Sequence, residues 1–487
     1  MYRCLVNLTL QLSFLVGYGY NLSATRSAEP TRQTAVEALT RAVEFFRDHC
    51  SAGGGYIFRL SADLSLREGE TAVGPTTAWI EPPATPAVGL AYLRAYQLTR
   101  EPILLAAARD TASALLHGQL QSGGWTEQIE FAPQDRRRYA YRVEGPKVDG
   151  QRNTTTFDDN KTQSAIRFLM QLDQELDESD PRVHEAVQYA LDAVLQAQYT
   201  NGAWPQKFDG QAQAAVASDL PADYPVAWSR EFPNQKYTDY YTLNDGTLCD
   251  LIDTLLLAGR RYGDQRYTEA AQRGGEFLLR AQMPAPQAGW AQQYDRDMHP
   301  AWARKFEPPA LSGGESQAVM QLLLRLYEST ADERYLRAVE RGLAYYQTCI
   351  LSSGRLARFY ELHTNRPLYF TKTYELTYAD DDIPTHYAFT VTSGLERLER
   401  DLKKLRDRPT DQLEVRDDDQ QPRPPRLTAE LRQSAALAIN SLDARGAWVE
   451  PGRLRTYADS PVEQVILSGT FIKNLEILAQ FVAASVP

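Results

Sequence analysis

Asp158 and Asp159 stand side by side, with Thr156-Phe157 before them and Asn160 after. Oxygen donors at this density suit a hard cation such as Ca²⁺, above all where a substrate adds carboxylates of its own. A second acid lies in a related setting, Thr242-Leu243-Asn244-Asp245-Gly246-Thr247, and a third in Leu311-Ser312-Gly313-Gly314-Glu315-Ser316. Each segment precedes an apolar run at helical spacing, so taken singly each is first a helix cap. Their recurrence after long, turn-containing loops argues for a shared cleft. Cations gather in other segments: Lys207 beside Gln206 and Phe208, Arg304-Lys305 before Phe306-Glu307-Pro308-Pro309, Arg358 before Phe359-Tyr360-Glu361, and Arg366 after Thr364-Asn365. Arginine is the residue for two-point grip on a carboxylate. Any one of these cations also reads as an ordinary surface ion pair.

The overall charge narrows the substrate. The 487 residues carry 52 Lys and Arg against 63 Asp and Glu, a formal −11. Such a chain has no excess of cations to displace phosphate counterions, which argues against nucleic acid as the main partner. An anionic substrate stays open, because a local Arg cluster or a bound metal holds carboxylates inside an acidic protein. Cys4, Cys50, Cys249 and Cys349 form no close pairs, so zinc or iron–sulfur spacing is absent and buried thiols are expected. Six His without an HExxH give no support to a His-based metal site.

The elements that must position these groups read as helices. Apolar residues recur at helical spacing over 34–46, 86–96, 165–172, 183–197, 248–258, 318–327 and 335–346. Strand-like alternation is scarce. The helices end in a recurring turn: Gly53-Gly54-Gly55-Tyr56, Gly123-Gly124-Trp125, Asn201-Gly202-Ala203-Trp204, Ala288-Gly289-Trp290 and Arg445-Gly446-Ala447-Trp448, with Ser353-Gly354-Arg355-Leu356 a degenerate member. Gly caps each helix and the aromatic residue docks on the turn, so the tryptophans read as packing rather than as an exposed sugar platform. The first four aromatic residues are 69, 79 and 86 residues apart, enough for two helices and a functional loop. Hairpins that cannot bury their faces alone stack into a ring, which predicts a mainly α protein, an α/α toroid with its long loops forming a cleft on one face.

Residues 1–28 have the pattern of a signal peptide: Arg3, an apolar stretch from Leu5 to Val16, then Ser23, Ala24, Ser27 and Ala28. Export to the periplasm or medium is the expectation, and no later stretch is apolar and long enough to span a bilayer. Residues 29–117 are expected to extend the toroid and 118–400 to form its core. The charged, Pro-rich 401–426 reads as a loop, and 427–487 as closing helices.

The run of motifs resembles the family 10 polysaccharide lyases, the pectate (pectic acid) lyases. The resemblance rests on Gly-Gly-Trp125, Thr156-Phe-Asp158-Asp159 leading into Ile166-Arg167-Phe168-Leu169, Trp204-Pro-Gln206 and Asn244-Asp245. It continues through Ala303-Arg304-Lys-Phe-Glu-Pro and Ala357-Arg358-Phe-Tyr-Glu361 with Thr364-Asn365-Arg366-Pro367, and spans about Gly118 to Phe389. It implies an α/α toroid that cleaves polygalacturonate or pectin by Ca²⁺-assisted anti-β-elimination. On that resemblance Arg304 is the catalytic base and Asp158 and Asp159 work with Ca²⁺, while Lys207, Asp245, Arg358, Asn365 and Arg366 contact substrate. A monomer without nucleic-acid or membrane partners is expected. The chain departs from the family's pattern at Asp380-Asp381-Asp382, which places acids at a cationic position. Two alternatives remain at this stage. One is a non-catalytic uronate-binding protein; the other is an α/α-barrel hydrolase of unsaturated uronides, with Asp158 or Asp245 as proton donor.

Overall fold

The computed structural model describes residues 29–211, 219–413, 422–423, 425–457 and 460–486. The expected leader with Cys4, and residues 414–421 and 424 of the expected 401–426 loop, among them Asp417-Asp418-Asp419 and Pro424, lie outside the described residues. Residues 401–406 are not loop but the end of the helix Leu395–Arg406, whose buried Leu398, Leu402 and Leu405 recur at helical spacing. Thirteen α-helices carry the described chain. They are α1 (Arg32–Phe45), α2 (Thr85–Thr99), α3 (Pro102–Gly118), the single turn α4 (Pro133–Arg136), α5 (Lys161–Glu175), α6 (Pro181–Ala197) and α7 (Thr247–Tyr262). Then come α8 (Gln265–Arg280), α9 (Gly313–Thr330), α10 (Glu333–Gln347), α11 (Leu395–Arg406), α12 (Ala429–Asn440) and α13 (Ser468–Ala484). Apart from α4 they form six hairpins of one outer and one inner helix. The inner helices pack in the order α13, α2, α5, α7, α9, α11. This is an α/α toroid.

The Gly-aromatic turn builds the ring. In four hairpins the Trp is buried, and its indole N–H bonds back to the outer helix it has just left: Trp125 to Leu115 O at 2.8 Å, Trp204 to Val194 O at 2.9 Å, Trp290 to Leu278 O at 2.8 Å, Trp448 to Ala438 O at 2.8 Å. The tryptophans are therefore structural, as their spacing suggested. A Gln at the end of three outer helices spans two gaps at once. The Gln119 amide donates to Gly123 O and to Ala186 O of α6, Gln198 to Gly202 O and Ala270 O of α8, Gln282 to Ala288 O and Ala338 O of α10. Each turn thus fastens itself and the next outer helix. Gly202 has φ +92, and a Cβ there would stand 2.1 Å from Arg273 O of α8. Gly446 has φ +96, and its Cβ would stand 2.5 Å from Arg41 O of α1, so the last turn seats against the first helix.

A second series of bonds runs along the inner rim. In five of the six turns the carbonyl two residues after the buried residue accepts an N–H from the start of the preceding inner helix or the segment leading to it. Ile80 N donates to Glu127 O at 2.9 Å, Phe157 N to Gln206 O at 2.9 Å, Leu243 N to Gln292 O at 2.7 Å and Gly313 N to Arg358 O at 3.0 Å. Ser468 N donates to Phe58 O at 3.1 Å in the same manner, and strand Arg59–Ser61 pairs with Gln464–Leu467. The two ends of the chain meet there, with α13 packed on both α1 and α2.

The helices run longer than their apolar periodicity, because polar first turns such as Lys161-Thr162 and Gly313-Gly314-Glu315 belong to them. Strands of two to four residues were invisible in the sequence, being too short to show alternation. At the degenerate turn, Gly354 (φ +73) is kept and a buried Leu356 replaces the aromatic residue. Cys50, Cys249 and Cys349 are buried free thiols. Among the described residues no helix is long and apolar enough to cross a membrane.

Trp204→Phe keeps most of the buried ring and removes one indole bond. It is expected to cost about 1–3 kcal/mol, lowering the thermal transition by a few degrees in scanning calorimetry.

Candidate active site

The start of α5 and the start of α7 repeat one unusual backbone. Asp159 (φ 50, ψ 34) and Asp245 (φ 49, ψ 33) are both left-handed, and Asn160 (φ 57) and Gly246 (φ 75) continue the turn. Non-Gly residues hold such a conformation at a cost of about 1 kcal/mol or more, and it persists where the surroundings enforce it. Short strands enforce it here: Thr155–Thr156 pairs with Lys207–Phe208, and Tyr241–Thr242 with Gln293–Tyr294. Asn244-Asp245 is thus the second hairpin's counterpart of Asp158-Asp159.

The two turns face each other. Carboxylate oxygens of Asp158, Asp159 and Asp245 lie within 4.8 Å of one another. Burial, then the charge of Asp159, pushes the Asp158 carboxyl above its ordinary range. Burial, then Asp159 and Asp158, pushes Asp245 up to about 8. The Gln206 side chain bonds Asp158, yet Asp158 Oδ1 is buried with no hydrogen-bond partner. An orphaned buried oxygen amid three mutually repelling carboxylates fits a hard divalent cation. Lys161 is only 3% exposed, its Nζ 2.9 Å from Asp159 Oδ2 and 3.0 Å from Glu81 Oε2. Burial pushes Glu81 up to about 7 against the pull of Lys161.

Arg304 closes the other side. Its Nη2 reaches Asp245 Oδ2 at 3.2 Å, and its Nε donates to Glu307 Oε2 at 2.8 Å. Glu307 is fully buried and also accepts from Tyr387 OH at 3.2 Å. Burial opposes the Arg304 charge but is outweighed by Glu307 and Asp245, so its proton is held more tightly than usual. The Arg304 guanidinium stands 5.3 Å from the Phe306 ring and 5.9 Å from that of Tyr387, and Arg358 lies 4.6 Å over Tyr387. Gln292 ties the network together, donating to Asn244 Oδ1 at 2.9 Å and Glu315 Oε1 at 3.1 Å. Asn244 in turn donates to Asp245 Oδ2 at 2.9 Å, and Arg358 Nη1 is 3.8 Å from Glu315 Oε1.

Asp158, Asp159, Asp245, Arg304 and Arg358 therefore share one polar cluster. Lys207 is exposed on the strand beside Thr156, at its rim. Asn365 and Arg366 make their contacts elsewhere. Asn365 Oδ1 accepts from Gln287 at 3.2 Å and from Tyr345, and its Nδ2 lies 3.3 Å from Cys349 Sγ. Arg366 is exposed, 3.4 Å over the Tyr378 ring, whose hydroxyl bonds Glu361. Asp380–Asp382 are exposed, and Asp382 pairs with Lys372 at 2.9 Å. Sequence reasoning missed Glu81, Lys161, Gln292, Glu307 and Tyr387 as site residues. One signal was available: Gln206, Gln292 and Arg358 each stand two residues after the turn's buried residue, the position the inner rim uses.

Residues 119–386, over half of the chain, match the pectic acid lyase family. Among solved structures, the family 10 polysaccharide lyase from Cellvibrio cellulosa is similar at 20% identity and a TM-score of 0.46, covering 66% of this chain and 96% of its own. A mutant of that lyase in complex with trigalaturonic acid gives the same identity and TM-score, covering 66% and 98%. An unsaturated glucuronyl hydrolase specific for heparin is similar at 10% identity and a TM-score of 0.41, over 92% of this chain and 95% of its own. Among curated proteins, none matches.

Asp245 supplies a pH test. Its folded carboxyl holds a proton that the unfolded chain releases near pH 4, so its contribution to stability is present in acid and lost as pH rises through about 8. Without divalent cations, Asp245→Asn is expected to raise the melting temperature at pH 8.5 and to change it little at pH 4.

Proposed function

The chain belongs to the pectic acid lyase family, and from that membership we propose its reaction: anti-β-elimination on polygalacturonate, yielding 4,5-unsaturated oligogalacturonides. It is a polysaccharide lyase by family; the substrate, the calcium and the residue roles are our reading. The observation that carries it is the convergence of Arg304 on Asp245, within a group of three carboxylates that also contains Asp158 and Asp159.

The C5 hydrogen of a galacturonate is α to a carboxylate and barely acidic, so elimination needs that carboxylate's charge balanced. Asp158, Asp159 and Asp245 would hold Ca²⁺, which supplies positive charge to stabilise the enolate-like state when bound. Arg358 meets the uronate carboxylate as a fixed cation, held in place by Tyr387 and Glu315. Arg304, as the neutral guanidine, takes the C5 proton; the C5–H electron pair becomes the C4–C5 double bond as the C4–O bond breaks, and the departing oxygen takes a proton from solvent. Lys207 at the rim serves the chain beyond the reacting sugar, whereas Asn365, bonded to Gln287 and Tyr345, and Arg366, stacked on Tyr378, are given no substrate contact. Glu307 and Asp245 hold the Arg304 proton more tightly than usual, which works against the base role in the metal-free site; a cation held by Asp245 would weaken that pull and lower the proton affinity of Arg304. The basic, then apolar, then small-residue leader supports an exported enzyme.

One observation favours a second reading. A carboxyl pushed up to about 8, as at Asp245, is protonated at neutral pH and suits the proton donor of a hydrolase acting on unsaturated uronides. A panel of polygalacturonate, methylated pectin and unsaturated oligouronides, each with and without EDTA, separates the two. The lyase generates ultraviolet absorbance from polygalacturonate and stops with EDTA, whereas the hydrolase consumes that absorbance and ignores EDTA. Arg304→Ala is expected to lower kcat on polygalacturonate by about 10³-fold or more, with the circular dichroism spectrum retained. Ordinary activity in that variant would refute the assigned base.

A further inference from the structure

Glu81 lies outside the segment that matches the family, between strand Thr77–Trp79 and α2. Lys161 sits at the start of α5, inside that segment. The lysine is almost wholly buried, and its ammonium is shared between Glu81 and Asp159 at 3.0 and 2.9 Å. Oxygens of Glu70, Glu81 and Asp159 also lie within 4.8 Å of one another. The ammonium thus acts as a tethered cation within the carboxylate cluster, and Asp158 Oδ1, buried and without a hydrogen-bond partner, remains for a diffusible ion beside Asp159 and Asp245.

We propose that Glu81 is a positioning residue which, through Lys161, sets how much negative charge of Asp159 the cation site presents. The inference rests on the calcium reading above. Its logic is charge balance in a poorly solvated place. With Glu81 present, one ammonium is divided between two carboxylates, and Asp159 keeps part of its field. Without Glu81 the ammonium is left to Asp159 alone, and the site also loses a nearby negative charge. Both changes weaken attraction for a cation. Removing the ammonium instead leaves Glu81 and Asp159 unbalanced, and attraction rises. Lys161 is a poor candidate for a direct substrate ligand, since its ammonium is buried between two acids. A rim lysine such as Lys207 has no such constraint.

The test is cation binding by the full chain, followed by Tb³⁺ luminescence and by calorimetry with Ca²⁺. Glu81→Gln is expected to raise Kd on the order of tenfold, with activity at low Ca²⁺ falling and recovering in excess Ca²⁺. Lys161→Met is expected to lower Kd, and the double variant to return toward wild type. Opposite signs from the two single variants exclude general loosening, which would weaken binding in both. An unchanged Kd in Glu81→Gln, or weaker binding in both single variants, overturns the inference and leaves the calcium reading standing. Failure of the wild-type chain to bind either ion overturns both. If Lys161→Met does not fold, Glu81→Gln decides alone: a raised Kd with an unchanged melting temperature supports the inference, and an unchanged or lowered Kd, or a raised Kd with a lowered melting temperature, overturns it.

Discussion

Three carboxyl groups are held within 4.8 Å of one another against their mutual repulsion, and the cleft is arranged around that fact. Like charges crowded under partial burial either take up protons or attract a cation. Both responses are visible. Asp245 is pushed up to about 8 and Asp158 is raised as well, while Lys161 pairs with Asp159 and Arg304 with Asp245 as built-in cations. Neither cation satisfies Asp158 Oδ1. The site is therefore charged but incompletely balanced, a condition suited to a divalent ion and an anionic sugar.

The scaffold supplies the force that holds the acids together. Separate hairpins carry Asp159 and Asp245, and each hairpin is locked by a buried tryptophan whose indole bonds its own outer helix. The glutamines at the ends of α3, α6 and α8 then fasten neighbouring hairpins by backbone carbonyls. Such bonds fix the rotation of one hairpin against the next, so the left-handed turns before α5 and α7 arrive face to face. A looser ring would let the acids drift apart and relieve their repulsion. The charge cluster is thus a load that the repeated turn carries.

Arg304 belongs to the same balance. Burial alone would loosen its proton, but Glu307 and Asp245 reverse that tendency. The fully buried Glu307 also aligns the guanidinium and accepts from Tyr387. Tyr387 in turn lies beneath Arg358. The two arginines are therefore joined through one aromatic ring and one carboxylate, which keeps both aimed into the cleft.

The chain sequence by itself determined the helical ring, the structural use of its Gly-Trp turns and the identity of the acids at 158, 159 and 245. Those follow from periodicity and from local chemistry at helix starts, which are short-range properties. It also held Arg304 and Arg358 among the candidate cations. What it did not contain was distance across the ring. Glu81 is eighty residues from Lys161, Tyr387 eighty from Glu307, and Gln292 forty-eight from Asn244. Nothing local marks those pairs, because their partners meet only when hairpins close side by side. The same closure separated the contacts of Asn365 and Arg366 from the carboxylate cluster. Which charges neutralise one another is a matter of ångströms, and only the folded ring sets those.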